Sequence, residues 1–308
     1  MGLIKNVIGL VLLLLLLWGG YVVYAALTAS PQLSAQWGTV NESVTNIVIA
    51  GKWKKPLLLP VEIQTITVNF TGIDVAKVLE FNYSPTETSA KALVSIDNHK
   101  LVRALVNYLN NGQRGIVTIA LKGKFLKVIP LNFNIKQKEV NENILGQLNF
   151  TAESKDLLGG LVKTPALVGT KVEWKGEEEN TGVLVAYLKF YNPNDFPIPV
   201  GNVSFDFYAN GIKIGEGSTK ETIVIPPKGY AVLPLETRID ETTIPKVWTL
   251  HVKNGEESTL LMNLYLTIRF SGKDIRVKLL SQQETVKTDI MESLNEALEE
   301  LSKELSRG

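Results

Sequence analysis

Catalysis at neutral pH needs a nucleophile, a tuned acid and base, or ligands for a metal. This chain of 308 residues holds two histidines, His99 and His251, and no cysteine. The absence of cysteine excludes disulfides, thiol catalysis and thiolate metal sites together. The histidines are not spaced i, i+4 and have no neighbouring carboxylate at metal spacing; His99 falls at a helix start and His251 on an apolar helical stripe. Asp97 and Asp240 each follow an isoleucine before a helix, but general acid-base work needs both groups at one site. They fall in different halves of the chain, and helix capping explains each. Glu177-Glu178-Glu179 reads as a solvated strand connection. Gly211, Gly215 and Gly217 give GxxxGxG, yet their flanks are strand and no Gly-Lys-Ser/Thr follows. No serine stands in a nucleophile elbow. The expectation is a non-enzyme with no catalytic residue, no cofactor and no metal. With 32 basic and 31 acidic residues the net charge is +1, so no global field favours nucleic acid as a partner.

The elements that would carry these residues are strands. Val203, Phe205 and Phe207 alternate with Ser204, Asp206 and Tyr208, the period of a strand with one buried face. Asn210-Gly211 tolerates positive φ and predicts a tight hairpin into Ile212 and Ile214. Pro197 and Pro199 lack the amide donor of a central strand, and Pro226-Pro227-Lys228-Gly229 reads as a second turn. Lys122, Lys124 and Lys127, like Arg269, Arg276 and Lys278, fall near strand-period spacing and predict a wet sheet face.

The chain also repeats itself at roughly 140 residues. Trp37 corresponds to Trp174 and Gly72-Ile73 to Gly211-Ile212, while Ile96-Asp97 and Asn111-Gly112 recur as Ile239-Asp240 and Asn254-Gly255 at a spacing of 143. Between them Leu101, Ala104, Leu105, Tyr108 and Leu109 recur as Ile244, Val247, Trp248, His251 and Val252, the stripe of a helix packed on a core. Leu148-Asn149 recurs as Leu294-Asn295 at a spacing of 146. From about Thr288, the residues Ile290, Leu294, Leu298, Leu301 and Leu305 predict an amphipathic helix, expected to fold back on the second half; assembly of copies through it is the alternative. Trp37, Trp174 and Trp248 read as core. Trp53, among Lys52, Lys54 and Lys55, reads as a snorkelling turn residue, with contact to lipid headgroups or a partner as the alternative.

Asn192-Pro193-Asn194, then Pro197-Ile198-Pro199, an alternating strand, Asn210-Gly211, a proline-glycine turn and Ile239-Asp240 resemble the late-embryogenesis-abundant type 2 domain, also called the water-stress and hypersensitive-response domain. The resemblance covers residues 165 to 282 well. It implies a small fibronectin-like β-sandwich with one helix, and a role in protection against water stress. In the first half Gly51-Lys52-Trp53 stands where the NPN turn would be and Thr71-Gly72 replaces the Asn-Gly hairpin. The fold expected is mostly β: two tandem antiparallel β-sandwiches of Ig or fibronectin-III type, each with one short helix, an N-terminal transmembrane helix and a C-terminal amphipathic helix. The domains expected are an anchor at 1–30, a first sandwich at 31–150, a linker at 151–164 and a second sandwich with the C-terminal helix at 165–308.

From Val7 to Leu27 there are 21 residues without a charge, enough at 1.5 Å rise for a hydrocarbon core of about 30 Å. Val7, Leu10, Leu14 and Leu17 lead to Trp18, Tyr21 and Tyr24 at the outer interface. A cleaved signal peptide is the alternative, but its apolar region runs only about 7 to 15 residues. With Lys5 before the span, the tip stays in the cytoplasm and the bulk lies outside the cell membrane. Sequons at Asn41, Asn69, Asn82, Asn149 and Asn202 would suit that location as glycosylation sites, and chance in an Asn- and Thr-rich chain accounts for them as well. The partners expected are the lipid bilayer, and lipid or envelope proteins. Three functions follow: stress protection at a membrane, binding or transfer of lipid or another apolar ligand, with Leu260 to Leu266 apolar on both strand faces, and a structural scaffold.

Overall fold

The computed structural model describes residues 32–54, 61–125, 127–141, 143–219, 222–270 and 272–307. The expected anchor residues, Val7 to Tyr24, lie outside the described residues. Among the described residues no helix is long and apolar enough to cross a membrane. The protein is mostly β and divides into two units, residues 1–142 with 288–308, and residues 143–287.

The first unit is built from β1 (Gln32–Val40), β2 (Val44–Lys52), β3 (Val61–Phe70), β4 (Ile73–Tyr83), β5 (Ser89–Asp97), helix α1 (Asn98–Asn110), β6 (Gly115–Phe125) and β7 (Ile129–Val140). Its sheet runs β1-β2-β5-β4-β3-β6-β7 with antiparallel neighbours. Alternation decides which face is inside: Ile66, Val68 and Phe70 on β3, and Val117, Ile119 and Leu121 on β6, are all buried. Thr71-Gly72 makes the β3–β4 turn with φ of 49° and 87°. A threonine in left-handed backbone is strained; its hydroxyl compensates by donating to the carbonyls of Phe70 and Ala104 at 2.8 and 2.9 Å.

The second unit comprises β8 (Asp156–Leu157), β9 (Val162–Lys163), β10 (Ala166–Glu178), β11 (Thr181–Tyr191), β12 (Ile198–Ala209), β13 (Ile212–Ser218), β14 (Ile223–Ile225), β15 (Tyr230–Asp240), helix α2 (Ile244–Lys253), β16 (Glu257–Phe270) and β17 (Lys273–Lys287). Its main sheet runs β10-β11-β15-β13-β12-β16-β17, the first unit's order strand for strand, with β14 paired to the start of β12. Leu188 and Phe190 of β11 and Leu233 and Leu235 of β15 share one core with Val203 of β12, Leu266 of β16 and Leu279 of β17. The sheet therefore folds over, and its two halves face each other as a sandwich. Asn210 and Gly211 turn the β12–β13 hairpin with φ of 51° and 77°, as the residue pair requires. Residues 151–164, expected as a linker, hold the β8–β9 hairpin, closed by hydrogen bonds between Lys155 and Thr164.

Asp97 caps α1, its carboxylate accepting from the Lys100 amide at 3.0 Å. Asp240 does the same for the 3-10 turn Glu241–Thr243 that leads into α2, accepting from the Thr242 amide at 2.9 Å. Thr243, the residue just before α2, makes no side-chain capping bond, because Asp240 already serves the turn. The third helix, α3 (Ile290–Arg307), belongs to the first unit, not the second. The reason is an edge. On β1, the outermost strand, the Ala35 N–H and carbonyl meet the Asn295 side-chain amide at 2.7 and 3.0 Å, while Ile290, Leu294 and Leu298 are buried. This helix closes an edge that would otherwise stay open to further strands, and its Ile290, Leu294 and Leu298 are buried in the first unit and not folded back on the second half as expected. Trp53 is likewise a correction: it is buried against Tyr83 and Ala90 and its indole N–H donates to the Glu87 carbonyl at 3.1 Å, so only its lysine neighbours Lys52 and Lys54 face water.

Candidate functional site

Inside the second unit the two halves of the sandwich do not meet completely. They leave an apolar cavity of about 100 Å³. Leu184 and Ala186 of β11, Leu235 and Ile239 of β15, Phe205 and Phe207 of β12, and Met262 and Leu264 of β16 point into it at alternate positions, with Leu148 and Phe150 entering from the segment before β8. The first unit has the same register: Ile47 faces Val94 as Leu184 faces Thr237, and Val68 faces Ile119 as Phe207 faces Met262. There Ile47, Ile66, Val68, Val94 and Ile119 are fully buried; here Leu184, Phe205 and Phe207 stay half-exposed. A difference in the repeat accounts for this. Leu294-Asn295 sits on α3, which brings three buried aliphatic residues, whereas Leu148-Asn149 follows a single 3-10 turn, Leu145–Gln147. Asn149 still reaches its edge strand, accepting from the Thr170 amide of β10 at 3.1 Å.

A buried polar group lies beside this core, outside the cavity lining. Gly182 lies two residues from Leu184 on the same inward face of β11, and a Cβ built there would stand 2.8 Å from the Trp174 ring and 3.3 Å from Glu241 Oε1. Glu241 is only 8% exposed, and its Oε1 has no hydrogen-bond partner among the described residues. Burial first, then the carboxylates of Glu177 and Asp240, push the Glu241 pKa from 4.5 up to about 7. Asn98, at the same place in the first unit, is satisfied: its Nδ2 donates to the Asn41 carbonyl at 2.8 Å and its Oδ1 accepts from the Thr45 hydroxyl at 2.9 Å. Thr45 corresponds in register to Gly182. The glycine makes room for Trp174 and removes the donor.

The NPN turn is a knot of three loops. Asn192 Nδ2 donates to the carbonyls of Phe196 and Ile225 at 2.8 and 3.2 Å, and its Oδ1 accepts from the Asn194 amide and side chain at 2.9 and 2.8 Å. Asn194 then pairs with both backbone groups of Lys163 at 2.9 and 2.7 Å, and Lys228 Nζ donates to the Pro193 carbonyl at 2.6 Å. Pro197 is exposed just before β12, and Pro199 is the second residue of β12, paired there with β14.

Residues 187–281 match the family model described as late embryogenesis abundant protein. The match begins just before the NPN knot and ends in β17, so it takes in β12 to β16 and most of the cavity wall. No curated protein matches the chain. Among solved structures, a crystal structure of a protein from Archaeoglobus fulgidus is 20% identical, with 40% of this chain and 97% of that one covered and a TM-score of 0.35. A solution structure from Arabidopsis thaliana is 18% identical over 44% of this chain and 91% of its own, with a TM-score of 0.29. A Bacteroides uniformis β-glucuronidase is 10% identical over 82% of this chain, with a TM-score of 0.25, and this chain spans only 26% of that enzyme. At these scores the likenesses carry no inference about function.

The remaining residues singled out in the sequence lie elsewhere. His251 is buried, its Nδ1 2.9 Å from the Ser258 hydroxyl and its ring stacked on Trp248, and burial pushes its pKa down. His99 is exposed. Among the described residues no group of three or more histidines, cysteines and acids is placed to hold a metal ion. Of the sequons, Asn82 and Asn202 are exposed, Asn41 caps its own turn, and Asn69 Nδ2 already donates to Asp74 at 2.9 Å. Leu260 to Leu266, read in the sequence as apolar on both strand faces, presents polar neighbours on its outer face. Tyr265 lies under Arg276 and Lys278 at 4.4 and 5.5 Å, and Asn263 bonds Ser281. Arg276 and Lys278 of β17 thus lie over the outer face of β16 at Tyr265. The cavity and the burial of Glu241 could not be found by motif, since both depend on residues that strand pairing brings together.

Proposed function

We propose that this chain is a non-enzymatic protein of the water-stress type, carried by the apolar stretch at residues 7–27 on a cell membrane with its bulk outside. It contacts lipid or envelope proteins there through two sandwich modules of Ig or fibronectin-III character. The observation that carries this reading is the family match over residues 187–281, set on a sandwich whose NPN residues all serve its loops. The stretch of 21 uncharged residues supports the tether. Deleting the gene and measuring survival after drying and after osmotic shock tests it. Loss of survival is expected, and survival equal to the parent would overturn the reading.

A second reading is favoured by the cavity: the second unit binds an apolar ligand. Its walls are hydrocarbon, and an apolar cavity stays dry and takes up apolar molecules of matching size. At about 100 Å³ it is smaller than the 300 to 1,000 Å³ of sites for drug-sized ligands, so a short hydrocarbon fits and a full acyl chain requires the walls to part. Native mass spectrometry of detergent-free protein with short-chain and long-chain ligands separates these cases. Binding of neither would remove the reading.

A further inference from the structure

We infer that the second unit binds the chain of a single-chain fatty acid, which enters by displacing residues 148–150 from the seam between β10 and β17 and takes the place of the Leu148 and Phe150 side chains. The inference rests on the apolar-ligand reading and adds the entrance and the chain length. The sheet order has β10 and β17 at its two ends, and no ladder joins them among the described residues. Both strands line the cavity, β10 with Leu167 and Val172 and β17 with Leu280. The chain that leads into β8 crosses from one to the other. The Ala152 N–H and carbonyl pair with Leu167 of β10 at 2.9 Å each, and Lys155 Nζ donates to the Lys278 carbonyl of β17 at 2.8 Å. Leu148 and Phe150, just before that crossing, point into the cavity and are half-buried, so lifting them opens the seam directly onto the hydrocarbon.

This cover is light where its counterpart is heavy. In the first unit α3 brings Ile290, Leu294 and Leu298, all almost fully buried. Here two bonds hold residues 148–150 to β10, and both fall on Thr170: its amide donates to Asn149 Oδ1 at 3.1 Å and its hydroxyl to the Phe150 carbonyl at 3.0 Å. Water replaces such bonds at small net cost once the segment lifts. Carbon count sets the ligand. Leucine and phenylalanine side chains hold four and seven carbons, and a cavity of about 100 Å³ takes roughly four more, on the scale at which about 150 Å³ accepts benzene. One acyl chain of about fifteen carbons thus replaces two half-buried side chains and fills the void as well. The lining follows β11 from Leu184 to Leu188, about 13 Å of strand. That space is narrow for its length, which suits one linear chain and leaves no room for the second chain of a phospholipid.

The test uses the full chain without detergent. It has no cysteine, so Leu148→Cys places a single thiol whose rate of modification by a water-soluble reagent reports whether the segment lifts. Hexadecanoate is expected to raise that rate at least tenfold, and butanol, which fits the existing void, to leave it unchanged. The readout is local, so fatty acid held by residues 7–27 does not move it. Phe150→Ala removes the ring that the ligand must displace and should tighten hexadecanoate about tenfold by calorimetry, a gain that lost packing alone would not give. Circular dichroism checks that each variant folds. Should neither fold, the unaltered protein decides: affinity for straight-chain fatty acids should rise with length and level off near about fifteen carbons, and a rise that continues well beyond that length overturns the inference. Binding of butanol without hexadecanoate, or of hexadecanoate with an unmoved thiol rate, overturns the displaced segment and spares the apolar cavity. A two-chain phospholipid that raises the rate equally overturns the single chain. Binding of neither butanol nor hexadecanoate overturns both readings.

Discussion

The two units carry one strand order, and they differ in how each core is closed. In the first, α3 lays Ile290, Leu294 and Leu298 into the unit and fastens the β1 edge through Asn295. In the second, the corresponding segment is a short turn followed by Leu148 and Phe150, and a cavity remains. The polar positions diverge in the same sense: Asn98 is bonded on both sides, whereas Glu241 is buried with one oxygen unpartnered among the described residues. Asn46 Oδ1 of the first unit also lacks a partner among the described residues, but an amide has no charge to desolvate. A void costs dispersion contacts and a buried acid costs solvation. Both occur in the second unit, where packing has yielded to something else.

The largest test of the contrast is removal of residues 288–308. Losing three buried aliphatic side chains at about 2 kcal/mol each, with the edge bonds of Ala35, amounts to about 6 kcal/mol or more. That is comparable to the whole stability of a domain. Calorimetry should show the first unit's transition lost or far lower in temperature and the second unit's kept. Two unchanged transitions would mean that α3 covers nothing of consequence.

Next comes the NPN knot. Asn192→Ala leaves the carbonyls of Phe196 and Ile225 and the amide of Asn194 without their partner, at about 1 kcal/mol or more each. A loss of about 2 to 4 kcal/mol, confined to the second unit's transition in urea, is expected. The first unit carries no Asn-Pro-Asn in its sequence, so an equal loss in both transitions would contradict the assignment.

Much of this was legible in the sequence, and the unread part has a common cause. Alternation in Val203, Phe205 and Phe207, the Asn210-Gly211 turn and the Leu101 to Leu109 stripe are local signals, and the observed β12, hairpin and α1 follow them. Side-chain partners at long separation are not local. Nothing within Ile290 to Leu305 says that its Asn295 will meet Ala35, 260 residues earlier. Trp53 looks exposed because its neighbours are lysines, but Tyr83 and Ala90, some thirty residues on, cover it. Glu241 looks like an ordinary first-turn acid, and its burial emerges only when Gly182 and Trp174 arrive from other strands.

Glu241 gives the contrast a pH dependence. Its folded pKa of about 7 stands above the ordinary 4.5, so the folded state holds the proton more tightly than the unfolded. Below pH 4.5 both states are protonated and the group costs nothing; as pH rises to 7 its stabilising contribution is lost, by up to about 3 kcal/mol. Glu241→Gln should therefore flatten the second unit's stability between pH 5 and pH 8. A wild-type profile already flat over that range would place the carboxylate in water.

The smallest effect asked for is a gain. Ala186 lines the cavity, and Ala186→Val adds two methyl groups that have space to occupy, about 0.8 kcal/mol for each well-buried carbon. If the void is real, the second unit gains about 1 kcal/mol and the first is untouched, as two-transition calorimetry can read. A loss instead would show that the walls already touch near Ala186, because carbon added to a packed core costs about 1 to 3 kcal/mol. The sign alone decides, and it decides independently of any ligand. A core that accepts carbon has room for a guest; one that rejects it has none, and the contrast between the two units would then rest on Glu241 alone.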